Sequence, residues 1–353
     1  MLKQLFRLFS FVFVIVTLAV AWLVIDYQHF INTPLLADDQ RLYYEVKPGA
    51  NIKEIAKDLE ERGVIKHWMY LAGVARWQGK AQLIKTGEYE FPPGTTPQGL
   101  LDQLVAGKVL KHSLTIVEGW TFNQMMHAIR RNEILIHSLK DLNNQQIMAE
   151  LGWPDEHPEG RFYPDTYSFP KGMTDVAFLQ RAHRAMSDYL DKEWQVRDPN
   201  LPLHTPYEAL ILASIVERET AATSERQTIA GVFIRRLQKN MLLQTDPTVI
   251  YGLGAAYDGN IRRSDLTTDT PYNTYVHAGL PPTPIALPGH DAIYAALHPE
   301  AGNSIFFVSR GNGTHEFTDN LADHNRAVRK YQLRDKPTET TEDTGETSNA
   351  TPP

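Results

Sequence analysis

The stretch "LFSFVFVIVTLAVAWLVI", Leu8 to Ile25, carries no charge and almost no polar side chain, and nothing in the chain constrains the fold more. A helix needs about 20 apolar residues to cross a bilayer, so this run is just long enough to span one. Lys3 and Arg7 precede it and Asp26 follows it, which puts the N-terminus in the cytoplasm and everything downstream on the far side. Ala19-Val20-Ala21 has the small-x-small spacing of a signal-peptidase site, so a cleaved leader is the rival expectation. The apolar "WLVI" beyond that site favours an uncleaved anchor, because a mature start would be polar.

Of the 353 residues, 42% are hydrophobic, enough to bury the cores of two or three modest domains. A formal net charge of −7 and the lack of any Lys/Arg cluster argue against nucleic acid as a partner. There is no cysteine, so disulfide and thiolate chemistry are excluded. The histidines are scattered without metal-ligand spacing, no phosphate loop or nucleophile elbow occurs, and no metal or cofactor is expected.

Residues 26–40 read as a polar connector. "RLYYEVKPGANIKEIAKDLEERG" then gives a strand, a Pro-Gly turn and a helix with Ile52, Ile55, Ala56 and Leu59 on one face, closed by Gly63. "TGEYEFPPGTTPQGLLDQLVAG" repeats that order, with Thr96 as cap, Leu100, Leu101, Leu104 and Val105 as the face, and Gly107 as stop. A small α+β module over 41–112 follows, either a spacer or a LysM-like glycan-binding unit. "HSLTIVEGWTFNQMMHAI" offers a further strand and helix, 132–151 has little signal, and "EGRFYPDTYSFP" reads as an ordered loop. "SIFFVSRGNGTHEFTDN" is a hairpin, "LADHNRAVRKYQL" a closing helix, and 334–353 a polar tail expected to be disordered.

"YEALILASIVERET" is apolar nearly all round from Ala209 to Val216, as expected of a helix threaded through a core. It ends in Glu217 and Glu219, which leave a helix in nearly opposite directions and cannot serve one site as a pair. Glu219 stacks over Ile215 and Val216, where desolvation would keep its carboxyl protonated, as a general acid requires. Glu217 stacks over Ala213 and Ser214 and reads as an ordinary charge, solvated or paired with an arginine. Ser224 and Gln227 have the spacing of a capping box for a second helix. Beyond it, "LQTDPTVIYGLG" and "TPYNTYVHAGLPPTPIALPG" lack either periodicity and read as long functional loops. Their hydroxyls, amides and rings suit sugar recognition, which makes Gln244, Thr245, Asp246, Thr248, Tyr251, Tyr272, Asn273, Thr274 and Tyr275 candidate substrate contacts.

"VEGW" at 117–120, "EGRFYPDTY" at 159–167, "ASIVERET" at 213–220, "LQTDPTVIYGLG" at 243–254, "YNTY" with "GLPPTPIALPG" at 272–289, and the closing "F-T-x-N-x-x-x-H-N" occur in one order. In these the chain resembles the endolytic murein transglycosylases, the MltG or YceG-like family, from the anchor to about Leu333. The resemblance implies an α+β protein of the inner membrane: a cytoplasmic stub at 1–7, a single transmembrane helix at 8–25, a LysM-like subdomain at 41–112, and a mixed helical and β catalytic domain at 113–333 in the periplasm. It implies peptidoglycan glycan strands as substrate, with the machinery of wall synthesis or division as possible company. It also implies that the second glutamate of "ERET", Glu219, acts as general acid and then base, releasing 1,6-anhydro ends. A hydrolytic muramidase using Asp246, or a scaffold that binds glycan without cleaving it, are the alternatives.

Overall fold

A computed structural model describes residues 2–36 and 39–333. The polar tail at 334–353, Met1 and residues 37–38 of the expected connector lie outside the described residues. The chain divides into two compact units, one drawn from Met1–Leu114, Asn132–Ser138 and Thr166–Asp175, the other from Thr115–Arg131, Leu139–Asp165 and Val176–Pro353.

The first unit begins with helix α1 (Leu2–Asn32), which from Phe6 onward is long and apolar enough to cross a membrane. It does not stop at Ile25, so residues 26–32 are helix and not the polar connector expected of them. The reason is packing: Tyr27, Phe30 and Ile31 recur at helical spacing and join the core of this unit, while the Tyr70 hydroxyl donates to Asp26 at 2.7 Å. Strand β1 (Leu42–Val46) leads into α2 (Ile52–Glu61), whose Asn51 and Glu54 form a capping box and whose Ile52, Ile55, Ala56 and Leu59 are buried. Helix α3 (Trp68–Trp77) has no counterpart in the repeated strand-turn-helix pattern. Strand β2 (Gly87–Phe91) then pairs antiparallel with β1, setting Tyr44 opposite Tyr89, and α4 (Pro97–Ala106) is capped by Thr96 and ended by Gly107 at φ 70. The two halves of the sequence echo are thus the two strands of one sheet, closed over one core. Strand β3 (Lys111–Thr115) pairs with β4 (Thr166–Pro170), so the end of the stretch expected to be loop is a strand, with Tyr167 and Phe169 buried in alternation.

The second unit contains α5 (Phe122–Arg131), then α6 (Asn144–Leu151), which forms in the stretch of little signal and is started by a capping box of Asn143 and Gln146. After the long α7 (Asp175–Gln195), helix α8 (Pro206–Glu219) starts on a Thr205 cap and buries every residue from Ala209 to Val216, as its composition requires. Helix α9 (Arg226–Gln238) follows at a tight corner, but not through the expected Ser224/Gln227 box. A single 3-10 turn at Thr223–Glu225 occupies that corner, and the Gln227 amide donates to the His298 carbonyl at 2.7 Å, so neither side chain caps the helix. Helix α10 (Asp246–Leu253) lies inside the stretch read as irregular; eight residues opening with Asp-Pro are too few to show a period. Helix α11 (His290–Leu297) packs on α8 and α9, and strands β5 (Phe306–Ser309) and β6 (His315–Thr318) form the expected hairpin, covered by α12 (Leu321–Tyr331).

Candidate active site

Helix α8 ends inside the second unit, and its two terminal carboxylates part company there. Glu217 is buried, not solvated: it pairs with the equally buried Arg226 at 3.0 Å and accepts the Gly289 N–H at 3.0 Å. Burial raises its proton affinity, while the Gly289 N–H and Arg226 act the other way. Arg218 between them reaches the Gly119 carbonyl at 3.1 Å, which ties the "VEGW" turn to this helix end.

Glu219 faces a cleft of about 510 Å³, whose lining also includes Arg236, Gln244, Asp246, Tyr275 and His315. The Thr245 hydroxyl donates to the Glu219 carboxylate at 2.5 Å. Burial pushes the carboxyl above the ordinary glutamate range; the Thr245 bond opposes the rise, Asp246 adds to it, and the charges of His315 and Arg236 oppose it. A carboxyl so placed holds a proton closer to neutrality than a solvated one and can give it up.

The loop before α10 is built to hold Thr245 in that position. Gln244 takes φ 50, a left-handed conformation costly for a side-chain-bearing residue, and its N–H bonds the Thr274 carbonyl at 3.1 Å. The Thr245 N–H bonds the Thr274 hydroxyl at 3.1 Å, which also meets the Thr248 hydroxyl at 2.8 Å. Asn273 donates to the carbonyls of Asp265, Leu266 and Thr268 and accepts the N–H of Tyr275. Thr248, Asn273 and Thr274 are therefore buried in the scaffold behind the cleft, with their polar atoms bonded to protein. Gln244, Asp246 and Tyr275 reach the cleft, where the Tyr275 hydroxyl donates to Asp246 at 2.6 Å. Tyr251 and Tyr272 meet edge-on at 4.8 Å beside a different carboxylate, the buried Glu159, to which Tyr251 donates at 3.0 Å.

Several cleft residues have no precedent among the candidates. Arg236 on α9 donates from Nε and Nη1 to the carbonyls of Ile305, Leu242 and Leu243 and braces the wall. His315 comes from β6, and His324 from α12 stacks on Phe306 at 5.0 Å. An arginine one helix on from the glutamate and single histidines far along the chain leave no local signal, although His324 falls within the closing motif. Among the described residues no group of His, Asp and Glu is suited to hold a metal ion.

Residues 44–330 match the model of the YceG-like family. The chain belongs to that family. An endolytic murein transglycosylase of Bacillus subtilis is 30% identical over 313 residues, which is 81% of this chain and 83% of the relative. Two proteins of that name from Streptococcus pneumoniae are 27% identical over 342 residues, and the match spans 61% of their length. A crystal structure of a yceG-like protein from Listeria monocytogenes, 28% identical, superposes with a TM-score of 0.50 over 82% of this chain and 99% of that one. The family match takes in every strand except the first two residues of β1, and the whole lining of the Glu219 cleft except Gln332.

Proposed function

We propose that this protein is a membrane-anchored lytic transglycosylase that cuts within peptidoglycan glycan strands, with Glu219 as the proton-handling residue. The observation that carries this is the Glu219 carboxyl at the end of a core helix, desolvated and held by Thr245 in a cleft of about 510 Å³. The names of the relatives, murein transglycosylases, supply the substrate class.

With one oxygen fixed by Thr245, Glu219 presents the other to the oxygen linking N-acetylmuramic acid to N-acetylglucosamine. Its proton moves to that oxygen as the bond to the muramyl anomeric carbon breaks, and an oxocarbenium-like state develops. The muramyl C6 hydroxyl closes on the anomeric carbon, and the Glu219 carboxylate takes its proton, which restores the acid and leaves a 1,6-anhydro end. An intramolecular nucleophile needs no second carboxylate to activate water. Gln244, Asp246 and Tyr275 contact the glycan in this scheme; Thr248, Asn273 and Thr274 hold Thr245 in register, and Tyr251 and Tyr272 support the wall beyond.

The first unit's strand-helix-helix-strand order supports a LysM-like module at 41–112 ahead of a catalytic domain at 113–333. The charge pattern around the α1 span supports a cytoplasmic N-terminus, a periplasmic catalytic domain and an inner-membrane location. Asp246, exposed in the same cleft, favours one second reading, hydrolysis by a muramidase. Glu219→Gln is expected to abolish glycan cleavage while leaving the melting temperature and binding to peptidoglycan unchanged. Mass spectrometry of the wild-type products separates the two chemistries, because hydrolysis adds one water and transglycosylation adds none. A fully active Glu219→Gln protein would sink the assignment.

A further inference from the structure

The cleft contains a histidine-carboxylate pair that the proton transfers above leave unused. Glu225, in the turn before α9, accepts the backbone N–H of His315 at 3.0 Å and meets its Nδ1 at 2.7 Å. The two side chains are only 15% and 11% exposed, and Phe307 stands edge-on to the imidazole at 5.4 Å. Such a ring cannot turn without breaking the carboxylate bond and unpacking the phenyl. With Nδ1 committed to Glu225, Nε2 is the nitrogen left over, and His315 lines the same cleft as Glu219.

The surroundings of Glu219 give this pair a task. Four charged or titratable groups bear on it: Asp246 from α10, Arg236 from α9, Tyr275 from the loop before α11, and His315 from β6. Around His315 itself stand the Glu225 carboxylate and the rings of Phe307 and Phe317. When Glu219 gives its proton to the glycan it becomes an anion next to another carboxylate, Asp246, in a partly desolvated cleft. A cation must offset that, since charge developing in a low-dielectric site is costly unless a partner is already oriented toward it. Arg236 is held to the wall by its Nε and Nη1, which donate to the carbonyls of Ile305, Leu242 and Leu243. His315 offers its Nε2 in an orientation fixed by Glu225 and Phe307, whereas burial holds His324, the other histidine of the cleft, toward its neutral form.

We propose that His315, aimed by Glu225, is a positioning residue that acts on Glu219 by charge: as an imidazolium it stabilises the carboxylate Glu219 becomes on giving its proton to the glycosidic oxygen. This rests on Glu219 being the acid, and no proton passes through the imidazole itself. The interaction strengthens as the reaction proceeds, so it belongs in kcat and not in substrate affinity.

The test compares the full-length protein in detergent with His315→Gln, His315→Lys, Glu225→Gln and Glu219→Gln, following release of glycan ends across pH. His315→Gln is expected to lower kcat roughly 100-fold, with KM changed by no more than about twofold, the lower end of the loss that follows removal of one oriented stabilising group. His315→Lys, which keeps a cation, recovers most of the rate. Should His315→Gln unfold, Glu225→Gln carries the same comparison, since an amide still accepts the Nδ1 proton but no longer supports an imidazolium; its kcat falls likewise, with KM unchanged. Wild-type kcat in His315→Gln, or an equal loss in His315→Gln and His315→Lys, would overturn the proposal. An inactive Glu219→Gln beside a normal His315→Gln removes this inference alone, whereas an active Glu219→Gln removes the function on which it rests.

Discussion

The Glu159 carboxyl is buried behind the cleft, where it accepts the Phe122 N–H at 2.8 Å and the Tyr251 hydroxyl at 3.0 Å. Burial pushes its pKa up to about 7, against the pull of those donors. The folded protein therefore binds this proton more tightly than the unfolded chain, whose glutamates titrate near 4.3. A raised pKa contributes stability that is fully present below the unfolded value and is lost as pH rises through the folded one. Between about pH 4 and pH 8 the loss is roughly 3 kcal/mol. Glu159→Gln, neutral throughout, is expected to lose far less stability than the wild type between about pH 5 and pH 8 in urea titrations. Parallel stability curves for the two proteins would show that Glu159 is not the titrating group. Glu219 shares the direction of this shift and, like Glu159, accepts a hydroxyl, but it lines a cleft, which is the placement that the proton transfer proposed above requires.

Helix α8 joins the core to the site through the Glu217–Arg226 pair, which ties its last turn to the first turn of α9. Arg226→Met leaves Glu217 buried without its cation and is expected to cost about 3–5 kcal/mol, while Glu217→Gln with Arg226→Met recovers a large part of that. Equilibrium unfolding of the single and double variants measures both, and a double variant no more stable than the single one would show that the pair contributes through geometry and not charge. The elements that were legible in the sequence share one property with α8. Where an apolar face is long or a cap is strong, as in α2, α4 and the β5–β6 hairpin, local chemistry and tertiary packing agree. Helix α10 and strand β4 escaped because they are short and lie in stretches dense in aromatics or turn formers, where period is unreadable, and α3, as long as α2 and α4, escaped because no side chain caps its start. The site divides the same way: Glu219, Gln244, Thr245, Asp246 and Tyr275 stand in three motif stretches that fold onto one another. Arg236 and His315 come to the cleft only through tertiary structure. The alternation of "HEFT" did not reveal which face looks inward, since all four residues are half-buried.

At the scale of the whole molecule, one helix belongs to two environments. From Phe6 to Ile25 the large apolar side chains of α1 lie exposed, a surface that water does not tolerate at such length and a bilayer does. From Asp26 the same helix turns into a structural part of the first unit, with Ile31 buried, Tyr27 and Phe30 packed against the core and Asp26 bonded to Tyr70. A truncation that begins at Asp26 removes the exposed apolar segment and keeps these contacts. One that begins at Pro34 removes both. The first is expected to be soluble without detergent and to melt with the full-length protein. The second is expected to lose roughly 2–4 kcal/mol, the transfer free energy of one buried and two half-buried apolar side chains. Thermal melts of the two truncations decide it: equal stability would mean that residues 26–33 are a tether and not part of the fold. The helix runs from the exposed apolar segment into the core without a break, so an anchor of the kind proposed above would hold the first unit close to the bilayer by secondary structure and not by a linker.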